Sequence, residues 1–321
     1  MATMMTTNPH TPVLLDRCID LLAPALGANA LVVDATLGMG GHTEALLQRF
    51  DTVRVLGIDR DLDALAHAQS RLKEFAARTR LVHARYDELG ALLDSEFPGQ
   101  TPQGILFDLG VSSLQLDEAE RGFSYRFDAP LDMRMNPQDD TTAADLIARL
   151  SAFELQRLFE RYGDEPLASR YAHAIVNSRD DAPILRTGQL VELIDRVTPG
   201  GHPRKGHNAK RVFQALRIAV NHELEVLEAA LEVALDRLAV GGRIVVMSYH
   251  SGEDRLVKHA IEPRTQSSAP LDLPVIPESD QPTYRWVVKG PEEAPSAEQR
   301  DNPRSQSVRL RAAEKVKGTQ R

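Results

Sequence analysis

With one cysteine, Cys18, in 321 residues, the chain can form neither an internal disulfide nor a cysteine-based zinc cluster. No apolar stretch approaches the roughly 20 residues needed to span a bilayer. Met1 to Pro12 has neither a basic start nor an apolar core, so a secretory signal is not expected either. Positive charge is in deficit: 38 Lys and Arg against 46 Asp and Glu give a formal charge of −8, which speaks against a protein that coats nucleic acid. What remains is an ordinary soluble globular composition, 26% charged and 42% hydrophobic, expected in the cytoplasm. The length suits one large domain or two moderate ones.

The most informative stretch is Val32-Val33-Asp34-Ala35-Thr36-Leu37-Gly38-Met39-Gly40-Gly41-His42-Thr43. An apolar run ends in a carboxylate, breaks into glycines and restarts as a helix at Thr43. Strand, tight turn and helix N-terminus form the place where an α/β protein brings backbone close to a nucleoside cofactor. Glycine suits the turn because it tolerates φ > 0 and has no Cβ to block the approach. A second strand, Val53 to Ile58, ends at Asp59, where a ribose-binding acid is expected. A dinucleotide fingerprint would carry a third glycine at Thr43 and has no use for Asp34 before the turn. A carboxylate there suits a cationic ligand such as S-adenosylmethionine; a purely structural turn is the alternative.

Alternating signals continue with a helix from Leu62 to Leu72, a strand at Arg80 to Ala84, a helix at Leu89 to Leu93 and a strand at Gly104 to Asp108. This βαβα order predicts a mostly parallel sheet with helices on both faces. From about Leu114 to Arg204 the pattern changes to helical periodicities alone, a 90-residue insertion of subdomain size. The sheet then resumes: Phe213 to Leu238 reads as one or two helices, Arg243 to Ser248 as a fifth strand and Asp254 to Ile261 as a short helix. Glu262 to Pro282 and Pro291 to Pro303 read as loops. Tyr284 to Val288 and Ser307 to Arg311 read as a closing antiparallel pair.

Sites in open parallel sheets lie beyond the carboxyl ends of the strands. That selects Gly38 to His42, Asp59, Asp108 and Ser248 to Ser251. Tyr86 can edge an adenine or be a half-buried aromatic. Asp108 can accept from an amine of cofactor or substrate, with Ser248 and His250 as second candidates. Asp132 and Arg134 read first as an internal ion pair. The acid-free run His202 to Arg211, and the basic tail from Arg304, are either solvated or phosphate-binding. Lys210, Gln214 and Arg217 share one helical face, with Asn221 a turn further on and Phe213, Leu216 and Val220 opposite. With Lys205 and Arg211 they make an RNA-backbone contact credible.

Taken together, His10 to Leu15, Gly38 to His42, Gly57 to Asp61, Asp108 to Ser113, Gln115 to Asp117, Glu120 to Ser124, Asp132 to Met135, Phe213 to Ala215 and Asn302 to Arg304 make the whole chain resemble the bacterial 16S ribosomal RNA cytosine-N4 methyltransferase H family. The resemblance implies a class I methyltransferase (Rossmann-like) sheet, residues 1–113 and 205–321, with a helical substrate-recognition insertion over 114–204. It implies methylation of cytosine 1402 of 16S rRNA, in the decoding region of the small subunit, from S-adenosylmethionine. The cofactor contacts it maps are Gly40, Gly41, His42, Asp59, Tyr86, Asp108 and Gln115. Tyr249, Gly252 and Tyr86 depart from the phenylalanine, leucine and phenylalanine expected in that family.

Two other readings compete. A DNA amino-methyltransferase usually has two prolines after the fourth-strand acid, where this chain has Leu109-Gly110; no DNA substrate is expected. An RNA-binding assembly factor without catalysis is opposed by the intact set Asp34, Gly38, Gly40 and Asp59. Carbon-5 methylation would need a cysteine thiolate, and Cys18 lies far in sequence from every strand end.

Overall fold

The short apolar runs of the first hundred residues form strands because each is bounded by turn residues and is too short for a core helix. In a computed structural model, residues 12–200, 208–270 and 277–318 are described. Helix α1 (Leu15–Leu22) leads to β1 (Leu31–Asp34), α2 (Gly41–Arg49), β2 (Arg54–Asp59) and α3 (Leu62–Arg71). Then come β3 (Thr79–His83), α4 (Leu89–Glu96) and β4 (Gly104–Asp108). The chain continues through α5 (Ser113–Asp117), α6 (Ala143–Arg149), α7 (Ala152–Gly163), α8 (Ala168–Asp181), α9 (Thr187–Val197) and α10 (Lys210–Asn221). It ends with α11 (Glu223–Arg237), β5 (Arg243–Ser248), α12 (Ser251–Ile261), β6 (Tyr284–Glu292), α13 (Ser296–Asp301) and β7 (Arg309–Lys315).

The strands make one seven-stranded sheet in the order β3-β2-β1-β4-β5-β7-β6. β1 to β5 are parallel, and β7 enters antiparallel between β5 and β6. The chain moves outward from β1 through β2 to β3, then returns to β4 on the other side of β1. This reversal places the switch point between β1 and β4, where Asp34 pairs with Leu106. Side chains alternate across the sheet. Val32, Val55, Leu106 and Val245 pack with Cys18, Leu22 and Leu46 on one face. Val33, Leu56, Phe107 and Val246 pack with Leu93, Leu231 and Leu235 on the other.

Two compact units emerge: Met1–Gly110 with Val226–Arg321, and Val111–Glu225. The helical segment expected over 114–204 thus extends to Glu225, because Val212, Phe213, Leu216 and Val220 of α10 share its core with Leu155, Phe159, Tyr171 and Ile194. Thr142 with Asp145 and Ser151 with Glu154 form capping boxes that start α6 and α7. The region Pro291 to Pro303, read as a loop, instead contains the end of β6 and α13. The ends of the Glu262 to Pro282 segment are tied, with the Ser268 N–H donating to Asp280 O at 3.0 Å and that of Thr283 to Arg264 O at 3.0 Å. Among the described residues no helix is long and apolar enough to cross a membrane.

Candidate active site

The carboxyl ends of β1, β2, β4 and β5 carry the candidate chemistry. After β1 the chain turns through Gly38 (φ +53°) and Gly40 (φ +78°), a left-handed backbone that L side chains rarely adopt. Gly40 then caps α2. The turn is tied to the next strand: the Gly38 N–H donates to Asp59 Oδ2 at 2.7 Å, and the Asp61 N–H donates to Oδ1 at 2.9 Å. Burial pushes the Asp59 carboxyl up to about 6, although both backbone bonds pull it down. Half-buried, Asp59 keeps lone pairs free beyond these two bonds.

Asp34 is placed differently from expectation. It is 1% exposed, accepts from the Thr43 hydroxyl at 2.7 Å and is pushed up to about 6, chiefly by burial. It clamps α2 to β1, with almost no exposed surface. Behind it His42 is buried, with Nε2 3.1 Å from Val13 O and Nδ1 3.9 Å from Asp108 Oδ2. Desolvation lowers its pKa, which favours the neutral ring.

Asp108 ends β4 with its side chain 26% exposed. Its N–H donates to Thr36 Oγ1 at 2.6 Å, and its Oδ1 accepts from the Tyr249 hydroxyl at 2.6 Å. Desolvation pushes it up to about 7 against that hydrogen bond. Tyr86 is half-buried and meets Phe107 edge-on, with ring centroids 5.8 Å apart.

Two further candidates stand at the end of the fifth strand. Ser248 is 1% exposed and offers no face to a substrate. His250 caps α12, its Nδ1 accepting from the Gly252 and Glu253 N–H groups at 3.2 and 3.4 Å; Nε2 lies 3.3 Å from Glu253 Oε1. Nδ1 thus serves as a helix cap, while Nε2 is buried without a hydrogen-bond partner among the described residues. The residue that sequence reasoning passed over is Tyr249, noted there as a departure from a family pattern and nothing more.

The remaining candidates belong to the helical unit. Gln115 closes a capping box, its Oε1 accepting from the Ser112 N–H at 3.0 Å. Asp132 and Arg134 form an ion pair local to one loop, at 2.7 and 2.8 Å. On α10, Lys210 and Arg211 are exposed. Arg217 makes a bidentate pair with Glu223 at 2.8 and 2.9 Å, and Gln214 donates to Tyr162 O at 3.0 Å. The polar face of α10 therefore packs at Gln214 and Arg217 and is exposed at Lys210, and Arg217 already has its anion. Lys205 lies outside the described residues.

Residues 7–316 match the MraW methylase family. The chain belongs to that family. It is 54% identical to the ribosomal RNA small subunit methyltransferase H of Leifsonia xyli subsp. xyli, over 97% of this chain and 96% of the relative. To the enzyme of the same name from Beutenbergia cavernae it is 55% identical, over 97% and 93%. The fold is the class I methyltransferase sheet, and the chain is an S-adenosylmethionine-dependent methyltransferase. The site's chemistry fits such a group. Two left-handed glycines shape the turn after β1, Asp59 stands at the end of β2 as an acceptor, and Asp108 ends β4 half-buried with one oxygen unbonded to protein within 3.5 Å among the described residues.

Proposed function

We propose that this enzyme methylates the exocyclic N4 amine of cytosine 1402 in 16S rRNA, with the small ribosomal subunit as partner. The observation that carries the reading is Asp108: a partly exposed carboxylate at the sheet's switch point, held by Thr36 and Tyr249 and able to accept from an amine. The substrate follows the name of the relatives, and the choice of position follows the family resemblance.

Cytosine's amine is a poor nucleophile because its lone pair is delocalised into the ring. S-adenosylmethionine supplies a methyl on a sulfonium, already activated for in-line displacement. The protein's share is then positioning and exclusion of water. Gly38, Gly40, Gly41, His42, Asp59 and Tyr86 are proposed to shape and hold the cofactor's place. Asp108 is proposed to accept from the amine, turning its lone pair toward the methyl and receiving the proton it loses. Cys18 supports the amine over ring carbon. It is buried behind the sheet, with Sγ 3.6 Å from Met247 Sδ, and burial pushes its thiol up and away from thiolate.

The test incubates small subunits lacking the modification with enzyme and cofactor, then maps methylated nucleosides by mass. A single methyl on the N4 amine of cytosine 1402 is expected, with Asp108→Asn lowering kcat about a hundredfold. A methyl on ring carbon, or on another nucleotide, would overturn the proposal.

A further inference from the structure

Tyr249 follows β5 directly and is fixed at both ends. Its backbone N–H donates to Glu253 Oε2 at 2.7 Å, and its hydroxyl donates to Asp108 Oδ1 at 2.6 Å, the length of a strong charge-assisted bond. The ring lies against Gly110, whose φ of +91° carries the chain past it; an ideal Cβ there would stand 3.4 Å from ring Cδ2. The other carboxylate oxygen has a different situation. Oδ2 faces His42 Nδ1 at 3.9 Å, beyond hydrogen-bond reach.

We propose that Tyr249 is a positioning residue whose hydroxyl engages Asp108 Oδ1, so that Oδ2 alone is presented to the amine undergoing methylation. This rests on the reading of Asp108 as the acceptor for that amine. A carboxylate on a strand end turns about its Cβ–Cγ bond, and an acceptor in the wrong plane does not draw the amine's lone pair toward the methyl. A bond to one oxygen fixes the plane. It also favours the charged form, which is the form that accepts. Phenylalanine would fill the same volume and do neither.

The surroundings leave this task to Tyr249. Glu253 of α12 carries like charge and raises the Asp108 pKa; Asp34 of β1 and the Cys18 thiol of α1 are also within electrostatic range. His42 of α2 is too distant to donate. Among the described residues, Tyr249 is the side chain that donates to this carboxylate.

The experiment compares Tyr249→Phe with the parent and with Asp108→Asn across pH 5 to 9. The parent's kcat should fall on the acid side with a midpoint near 7, where Asp108 takes its proton. A hydrogen bond to the charged form depresses a pKa, so its loss in Tyr249→Phe should move that midpoint up by about one unit and lower kcat about tenfold at neutral pH. Carbon-13 NMR titration of aspartate carboxyls in the free protein should show the same displacement, independent of turnover. Replacing Tyr249 with 3-fluorotyrosine, a stronger donor that keeps the ring, should move both midpoints down, and covers the case in which the phenylalanine variant folds poorly. If Asp108→Asn is impaired while Tyr249→Phe keeps the parent's midpoint in both measurements, the positioning role is overturned and the reading of Asp108 stands. If Asp108→Asn matches the parent, both are overturned.

Discussion

Burial strains the ionisation of Asp34. Its carboxyl is pushed up to about 6 from an ordinary 3.8, with the Thr43 hydroxyl as its main compensation. A raised pKa means the folded protein holds a proton that the unfolded chain has already released. The resulting stability is fully present below pH 3.8 and is lost as pH rises through about 6. Asp34→Asn removes the titration and keeps an oxygen for Thr43. The stability difference between variant and parent should therefore move in the variant's favour by up to ~3 kcal/mol between pH 4 and 7, read from urea unfolding at each pH. A difference that stays flat across that range would mean Asp34 is not strained. Asp34 also shows how far strand-end reasoning reaches. The run Val32 to Asp34 and the glycines after it identify the carboxyl edge of β1, but not how deep each side chain sits there. Asp34 and Asp108 both end strands and carry the same sequence signal; one is closed behind Thr43 and the other opens toward solvent. Depth depends on α2 packing over the edge, a tertiary fact that no local pattern carries.

At the scale of elements, α10 holds a loop that the sequence describes poorly. Met133 sits at φ +64°, uncommon for a side chain with a Cβ. Asn221, fully buried at the end of α10, accepts from the Met135 N–H at 2.8 Å and donates to Met133 O at 2.8 Å. One side chain thus satisfies two buried backbone groups of a strained turn. Asn221→Leu keeps the volume and orphans both groups, which should destabilise the protein by about 2–4 kcal/mol in equilibrium unfolding. A loss below about 0.5 kcal/mol would show that the turn does not depend on this clamp. Helix periodicity gave the apolar face of α10 correctly, though not where it begins and ends, because burial of Phe213, Leu216 and Val220 repeats with the helix. It misjudged the other face, since Gln214, Arg217 and Asn221 bond to backbone or to Glu223, and such contacts leave no period in the sequence. The alternation of strand and helix, and with it the mostly parallel sheet, was legible for the same reason that the apolar face was: each βα unit repeats. The extension of the helical unit to Glu225 and the helix Ser296–Asp301 within an expected loop were not.

For the whole molecule, the open question is how a chain of net charge −8 holds a polyanion. Local excess is the physical answer, since screening confines each charge's reach to about 10 Å at ordinary salt. The run from His202 to Arg211 has no acid, and its described end exposes Lys210 and Arg211. Arg217 is set apart from them by its bidentate bond to Glu223, with both side chains largely buried. We therefore propose Lys210 and Arg211 as the phosphate contacts, with Arg217 held within the fold by Glu223. Each phosphate contact releases condensed counterions, so affinity should fall with salt at a slope near −0.7 per contact for single-stranded RNA. Lys210→Ala with Arg211→Ala should flatten that slope by about one to two contacts. Binding of S-adenosylmethionine should be unchanged in calorimetry, because neither residue lies on a strand end. Arg217→Ala should weaken folding and leave the slope as it was. If the double variant keeps the parent's affinity and slope, the basic run is a solvated surface and the RNA follows another path over the protein.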